Sequence, residues 1–262
     1  MGPAKSAMMA PARLGGALSS VTTLLFRLTR IPVFLARAAR CSRGALWRRA
    51  ALASALAAAA WCVQALDADL MERTAVQRYG AYGQQSLAAW RTLVAGLAQA
   101  PEEEMLRRVN DHWNRAVRFG EDADIWGQED YWATPLETMG RGRGDCEDFV
   151  IAKYFTLRTL GVPEARLRLT YVRARIGSAT SGVTQAHMVL SYYATPGAMP
   201  LVLDNLVSTI QPANARPDLT PVFSFNADGI FAGGAAQASS PVERLTRWRD
   251  LLARMRAEGS IP

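Results

Sequence analysis

The sequence predicts an α+β fold in which several N-terminal helices precede a central helix, and that helix packs on an antiparallel sheet. Three observations support this prediction. Apolar residues recur at helical spacing between residues 67 and 120. Residues 146–160 are apolar on almost every side, as expected for a helix inside a domain. From residue 166 onward the apolar pattern changes to a period of two, which is typical of half-buried strands.

The first 66 residues differ in composition from the rest of the chain. They contain nine of the thirty basic residues and no acidic residue, so the remainder carries 21 basic and 23 acidic side chains. The high isoelectric point therefore belongs to this leader. The body of the chain does not have the charge of a nucleic-acid-binding protein.

Residues 47–65 have the pattern of an export signal. Arg48 and Arg49 precede an uncharged, alanine-rich run, and small residues around Ala65 suit cleavage there. An uncleaved membrane anchor is the alternative, because the run is near the lower length limit for spanning a bilayer.

We therefore divide the chain into a leader, residues 1–66, and one folded domain, residues 67–262. Cys41 and Cys62 lie in the leader, so Cys146 is the one cysteine that remains after processing. A domain with one cysteine forms no internal disulfide, and a lone thiol in an oxidising compartment indicates a use for it.

Helices are predicted first along the domain. Apolar spacing favours three of them before the central helix, over residues 68–79, 86–100 and 102–119, with Gly80 ending the first. Residues 121–143 are predicted to be irregular. The central helix covers residues 146–160, and Gly161 ends it.

Strands follow the central helix. Alternating patterns predict strands over residues 167–171, 187–194, 201–204 and 221–226. The second and third are joined by a turn rich in proline and glycine, which predicts an antiparallel hairpin. Residues 242–257 are predicted to form a terminal amphipathic helix.

Three residues in these elements have the chemistry of covalent thiol catalysis. Cys146 starts the central helix, His187 lies at the start of a strand, and Asp204 ends the next strand. A thiolate attacks an acyl carbon, an imidazole carries the proton, and an acid orients the imidazole. The domain contains one other histidine, His112, which we interpret as an ordinary surface or half-buried residue. Each member of the set has a simpler interpretation, as a buried thiol, a core histidine and a turn cap.

The thiol is predicted to feel two opposing influences. A helix N-terminus favours the thiolate, whereas the neighbouring acids Asp145, Glu147 and Asp148 oppose it. Clustered carboxylates are ligands that calcium prefers outside the cytoplasm, so we predict a calcium site here. The alternative is that Glu147 or Asp148 caps the helix or pairs with a nearby arginine.

The chain resembles a known family, the bacterial transglutaminase-like cysteine peptidases of the LapG type. The resemblance covers about residues 67–230. It rests on the following segments: Tyr131-Trp132-Ala133-Thr134-Pro135-Leu136-Glu137, Gly142-Arg143-Gly144-Asp145-Cys146-Glu147-Asp148, Leu160-Gly161-Val162-Pro163, Ala186-His187-Met188-Val189-Leu190 and Leu203-Asp204-Asn205.

The resemblance implies a papain-like or transglutaminase-like fold, with Cys146 as nucleophile, His187 as general base and acid, and Asp204 as the residue that orients it. It also implies calcium held by Asp145 and Glu147, with Asp148 as a further candidate ligand. Similar proteins are periplasmic proteases that cleave the N-terminal region of a giant surface adhesin and so disperse biofilm. An inner-membrane cyclic-di-GMP receptor of the LapD type sequesters them.

The sequence therefore predicts a calcium-dependent periplasmic cysteine endopeptidase. Two alternatives remain open at this point. One is an acyl-transfer enzyme on the same fold, such as a transglutaminase or a peptidoglycan amidase, because water and amines resolve the same thioester. The other is a calcium-dependent binding module that keeps the three residues without using them.

Overall fold

The computed structural model describes residues 67–261. The predicted export segment, residues 47–65, lies outside the described residues, as do Cys41 and Cys62. None of the described helices is both long enough and apolar enough to cross a bilayer.

The described part of the chain combines helices with one large antiparallel sheet, which confirms the predicted α+β fold. The helices are α1 (Ala68–Leu97), α2 (Glu102–Ala116), α3 (Asp122–Trp126), α4 (Pro135–Arg141), α5 (Cys146–Thr159) and α6 (Thr246–Ala257). The strands are β1 (Arg118–Phe119), β2 (Arg143–Gly144), β3 (Leu167–Arg175), β4 (Thr184–Tyr192), β5 (Leu201–Leu203), β6 (Gln211–Pro212), β7 (Leu219–Asn226) and β8 (Gly229–Ala232).

The N-terminal helices follow the prediction closely. Helix α1 is interrupted at Gly80, whose φ of 61° and ψ of −148° are not helical, so the predicted break is confirmed. Helix α2 ends at Ala116, three residues earlier than predicted, because Val117 is extended and leads into β1. Strand β1 pairs in parallel with β2, the segment immediately before Cys146.

The prediction that residues 121–143 are irregular is wrong in part, since they contain the short helices α3 and α4. Helix α4 begins with a capping box: Glu137 N–H donates to Thr134 Oγ1 at 3.1 Å, and Thr134 N–H donates to Glu137 Oε2 at 2.8 Å. Pro135 occupies the first turn, where its missing N–H has no cost. The capping signal is visible in the sequence, but seven residues are too few to show helical periodicity.

Helix α5 is the central element, as predicted. Phe149, Val150, Ile151 and Ala152 are all buried. Thr156 Oγ1 accepts hydrogen bonds from the indole N–H groups of Trp90 in α1, at 2.9 Å, and Trp113 in α2, at 3.0 Å. One hydroxyl therefore joins the N-terminal helices to the helix that carries the cysteine.

Lys153 is a charged residue in the middle of the buried helix α5. Its side chain is fully buried, and its Nζ has no hydrogen-bond partner among the described residues. Burial lowers the pKa of Lys153 to about 7, although the carboxylate of Asp204 opposes this shift.

The six-stranded sheet has the order β6-β5-β4-β3-β7-β8, and every neighbouring pair is antiparallel. Helix α5 packs on the face that carries Leu169, Met188 and Leu190. The opposite face has a smaller apolar cluster of Val172, Val189 and Val202.

The predicted strands are confirmed as elements, but their bounds differ. Strand β3 extends to Arg175, and β4 begins at Thr184 rather than at His187. The added residues of β4, Thr184 to Ala186, are exposed, so they lack the apolar alternation by which a half-buried strand is recognised. The predicted terminal helix starts at Thr246, after a 3-10 turn over Val242–Arg244.

Candidate active site and acidic cluster

Cys146 is the first residue of α5, directly after β2. Gly144 makes this approach possible, because a Cβ built at this position would lie only 2.7 Å from the Cβ of Asp148. The thiol donates to Glu147 Oε2, with 3.0 Å between the atoms. The backbone N–H of Met188, the residue after His187, acts on the thiol as well and lowers its pKa. The cysteine therefore lies against the strand that carries the histidine.

The pKa of Cys146 is raised well above its usual value. Burial is the largest cause, followed by the negative charges of Glu147 and Asp145; the Met188 N–H acts in the opposite direction. The sequence predicted that the helix N-terminus would lower the pKa of the thiol and that the acids would raise it. In the structure the pKa is raised, because burial adds to the effect of the acids. A positive charge near these carboxylates would favour the thiolate.

His187 and Asp204 form a buried pair. Their Nε2 and Oδ1 atoms are 2.8 Å apart, and both side chains are almost fully enclosed. The register explains the contact: Tyr192 pairs with Leu201, so residues 193–200 form an eight-residue connection. An even number of connecting residues places the two side chains on one face of the sheet.

Two of the three predicted catalytic residues, His187 and Asp204, are in direct contact. Cys146 lies near Met188, the residue that follows His187 in β4. No hydrogen bond joins the Cys146 thiol to the His187 imidazole among the described residues; the thiol meets Glu147 and the Met188 backbone instead. Since Asp204 occupies Nε2 of the imidazole, Nδ1 is the nitrogen left for other partners. His112, the other histidine of the domain, packs edge-on against Trp113, and burial lowers its pKa.

Asp204 is held by more groups than the sequence suggested. Arg216 Nη2 donates to Oδ2 at 2.8 Å, and Leu206 N–H donates to Oδ1 at 3.0 Å. Asn114 of α2 donates to the Asp204 backbone carbonyl at 2.8 Å. Burial alone would raise the pKa of Asp204, but the hydrogen bonds from His187, Leu206 and Arg216 outweigh it and lower the pKa. Asp204 is thus kept ionised in a buried site.

Arg216 is a functional candidate that sequence reasoning missed. Its side chain is only 4% exposed and bridges Asp204 to Asp218, with 2.7 Å to Asp218 Oδ2. It lies outside any strand or α-helix, and the domain has many arginines. The sequence signal was indirect: a buried acid at a strand end needs a cation.

An acidic cluster surrounds the N-terminus of α5. The predicted ligands Asp145, Glu147 and Asp148 are joined there by Asp122 of α3 and by Asp130. Oxygen atoms of Asp122, Asp145 and Asp148 lie within 4.8 Å of one another, as do those of Asp122, Asp130 and Glu147. Asp122 was missed because it lies in the segment predicted to be irregular.

The cluster has unbalanced negative charge. Burial, together with the other carboxylates, raises the pKa of Asp122 to about 6 and that of Asp145 to about 10. One carboxylate oxygen of each, Oδ1, is buried without a hydrogen-bond partner among the described residues. Buried oxygens left unpaired in this way fit a divalent cation that prefers oxygen ligands, such as calcium.

The alternative roles predicted for these acids are supported for one residue. Asp148 Oδ1 accepts from Ala133 N–H at 2.8 Å, and its Oδ2 accepts from Asp145 N–H at 3.4 Å, so Asp148 does organise the start of the helix. Among the described residues, Arg247 forms an ion pair with Asp130 of the cluster, at 2.7 Å. No ion pair links Asp122, Asp145, Glu147 or Asp148 to Arg141, Arg143 or any other arginine of the described chain. Arginine pairing therefore neutralises Asp130 alone.

These features define a class of protein. A thiol at the head of a buried helix, beside a strand that supplies an imidazole–carboxylate pair, belongs to enzymes that attack acyl groups through cysteine. The antiparallel sheet packed on that helix gives the class its papain-like or transglutaminase-like form.

Comparison with known proteins specifies the family. The family model for bacterial transglutaminase-like cysteine proteinases matches residues 90–217. A structure of EGTA-treated Legionella pneumophila LapG is 39% identical, with a TM-score of 0.62, and the match covers 71% of this chain and 96% of that one. A calcium-bound structure of the same LapG is 40% identical, with a TM-score of 0.60 and coverage of 71% and 98%. No curated protein sequence matches. The chain belongs to the bacterial transglutaminase-like cysteine proteinases.

Proposed function

We propose that the protein is a calcium-dependent endopeptidase of the periplasm that cleaves the N-terminal region of a large surface adhesin and so promotes biofilm dispersal. The observation that carries the chemical part is the contact of Cys146 with the strand of the buried His187–Asp204 pair. Membership of a proteinase family and the likeness to LapG support hydrolysis rather than transfer to an amine.

The proposed reaction uses Cys146, His187 and Asp204 in distinct roles. His187 takes the thiol proton at Nδ1, and the sulfur attacks the carbonyl carbon of the scissile peptide bond. The same imidazole then donates that proton to the leaving amine, which releases the first product. Water, deprotonated by His187, hydrolyses the thioester and regenerates the thiol. Asp204 holds Nε2 throughout and stabilises the imidazolium.

This mechanism requires the thiol and imidazole to approach more closely than in the structure. Catalytic hydrogen bonds are often loose before substrate binds and tighten in the complex. The backbone N–H of Cys146, in the first turn of α5, is a candidate donor to the oxyanion.

Calcium fits the acidic cluster, where Asp122 lies close both to Asp145 and Asp148 and to Asp130 and Glu147. Asp148 is bound in part to backbone amides. When bound, the ion supplies positive charge beside the thiol. The chain's own contribution is to place Glu147 between the cluster and Cys146, so that a carboxylate engaged with a cation binds the thiol proton less strongly.

The proposal about location and regulation rests on the leader and on the family resemblance. The predicted export segment would carry the domain to the periplasm, where an inner-membrane cyclic-di-GMP receptor of the LapD type would sequester it. The receptor would bind the domain through a protein–protein interface. The proposal includes no nucleic-acid partner.

Incubation of the purified protein with an N-terminal fragment of a large surface adhesin tests the activity. We expect two products in the presence of calcium, and N-terminal sequencing of the second identifies the scissile bond. Cross-linked products that depend on an added amine would instead indicate an acyl-transfer enzyme. Binding without any covalent change would indicate the non-catalytic module.

Chelation is expected to abolish cleavage, and added calcium to restore it. Because an ion that binds only the folded state stabilises it, calcium at 100 times its dissociation constant should add about 2.7 kcal/mol to the free energy of unfolding. Cleavage assays measure the effect on activity. Calorimetric titration measures calcium binding, and thermal melts measure the gain in stability. Asp122→Asn should weaken calcium binding, whereas Glu103→Gln, a change at an exposed position of α2, should not. Activity that is indifferent to chelator would remove the metal from the mechanism.

A further inference from the structure

Strand β4 has a long free edge beside the thiol. Strand β3 pairs with β4 along its whole length, from Tyr192 to Thr184. On the other side, β5 pairs only with Leu190, Ser191 and Tyr192. The remaining residues of β4 have no strand neighbour on that side among the described residues.

The register shows which backbone groups face the free edge. Tyr193 N–H donates to Arg166 O at 2.8 Å, and Ile176 N–H donates to Val183 O at 3.0 Å, which extends the β3–β4 ladder at both ends. In an antiparallel pair, hydrogen-bonded positions alternate along the strand. The odd-numbered residues of β4 are therefore bonded to β3, and the even-numbered residues direct their N–H and C=O groups toward the free edge. Of the even-numbered residues, Thr184, Ala186 and Met188 lie beyond the end of β5, so their N–H and C=O groups have no strand partner there among the described residues.

The contact of Met188 with the thiol follows from this alternation. Its N–H points away from β3, into the space where β5 has ended, and from there it acts on the Cys146 thiol. The N–H and C=O of Ala186 point the same way, two residues further along. A strand rises about 3.3 Å per residue, so Ala186 lies about 7 Å beyond the level of the sulfur.

Within residues 67–261, no feature that protects sheet edges is found at the free edge of β4. Exposed edges are usually blocked by charges, prolines or a covering segment. Strand β8 forms one edge of the sheet, and the backbone of Ser239 and Ser240 covers it through hydrogen bonds with the backbone of Ile230. Strand β6 has two residues and ends in Pro212. By contrast, Thr184, Gln185 and Ala186 are uncharged and exposed.

We propose that an extended segment of the protein substrate adds to the free edge of β4 as a temporary strand, bonded to the N–H and C=O of Ala186, with its scissile carbonyl at Cys146. This inference rests on the proposed peptidase function. Main-chain pairing of this kind supplies affinity with little dependence on side chains. The substrate segment must therefore be extended and free of its own strand partners.

Ala186→Pro tests the proposal, because it removes one edge-facing N–H and leaves the β3–β4 hydrogen bonds intact. We expect kcat/KM for the adhesin fragment to fall at least about tenfold, the effect of losing one well-made hydrogen bond and adding a steric block. The melting temperature and the rate at which iodoacetamide alkylates Cys146 report whether the fold and the thiol are intact. If wild type cleaves and the variant cleaves equally well, edge docking is wrong. If wild type itself does not cleave, the peptidase function fails instead.

A second measurement uses the unaltered enzyme. Synthetic peptides that span the mapped cleavage site are each N-methylated at one amide. Because only every second residue of an added strand bonds to the edge, we expect cleavage to be lost at alternate positions near the scissile bond. Equal tolerance at all positions would overturn the proposal. A second result would also overturn it: a dimer of the wild-type protein that Ala186→Pro dissociates while cleavage stays the same. The free edge would then pair two copies of the chain and not the substrate.

Discussion

Cys146→Ala is expected to abolish cleavage of the adhesin fragment, with kcat reduced at least about 10³-fold. The substitution removes the sulfur that we propose as the nucleophile, and neither His187 nor Asp204 offers a replacement for it. The expected cause is chemical, since the helix start is organised by Asp148 rather than by the thiol. Product formation on gels or by mass spectrometry measures the loss.

Binding measurements separate this result from a folding defect. The alanine variant should still bind calcium, because the carboxylates of Asp122, Asp145 and Glu147 remain. It should also bind the fragment, and its melting temperature should stay near that of wild type. An alanine variant that still releases the adhesin would exclude Cys146 as the nucleophile and favour the binding module.

The three candidate catalytic residues were predictable because the domain offers few choices. It contains one cysteine and two histidines, and His112 lies in a helix of ordinary amphipathic pattern. Local patterns also placed Cys146 at a helix start and Asp204 at a strand end. What they could not supply was the register of β4 and β5, which decides whether His187 and Asp204 meet.

Other parts of the site depend on contacts between segments distant in sequence. Asp122 reaches the acidic cluster only because α3 folds against the start of α5, and Arg216 reaches Asp204 from a loop after β6. The outer half of β4 escaped prediction for a different reason. Residues at a free edge carry no apolar alternation, so Thr184 and Ala186 have the pattern of a loop although they are paired with β3.

The same arrangement explains why the thiol depends on its surroundings. Glu147 and Asp145 oppose ionisation of Cys146, while the pair on the neighbouring strand is held ready by Arg216. Neutralising Glu147 and Asp145 favours ionisation of the Cys146 thiol. Arg216 acts on the His187 imidazole, because it holds the Asp204 carboxylate that binds Nε2. The two sets of residues should therefore respond to different perturbations, calcium for one and mutation of Arg216 for the other.

Arg216→Met is expected to lower the free energy of unfolding at neutral pH by about 3–5 kcal/mol, the usual cost of removing one partner from a buried ion pair. The variant leaves the Asp204 carboxylate enclosed, with His187 and the Leu206 N–H as its remaining partners. Without the guanidinium, burial should raise the pKa of Asp204. Chemical denaturation measures the loss of stability, and kcat should fall as the orientation of His187 loosens.

The pH dependence and a matched control distinguish this mechanism from a general packing defect. In wild type the pKa of Asp204 is lowered from its ordinary value of 3.8, so its contribution to stability is present above that pH and is lost as pH falls through the lowered pKa. In Arg216→Met, where burial raises the pKa of Asp204, the ionised carboxylate instead destabilises the folded state, and this cost is relieved as pH falls through the raised pKa. The difference in stability between the two proteins should therefore shrink once Asp204 is protonated in both. Asp218→Asn removes the partly exposed partner of Arg216 and should cost no more than about 1 kcal/mol. A difference in stability that stays constant with pH would show that Arg216 acts through packing and not through the charge of Asp204.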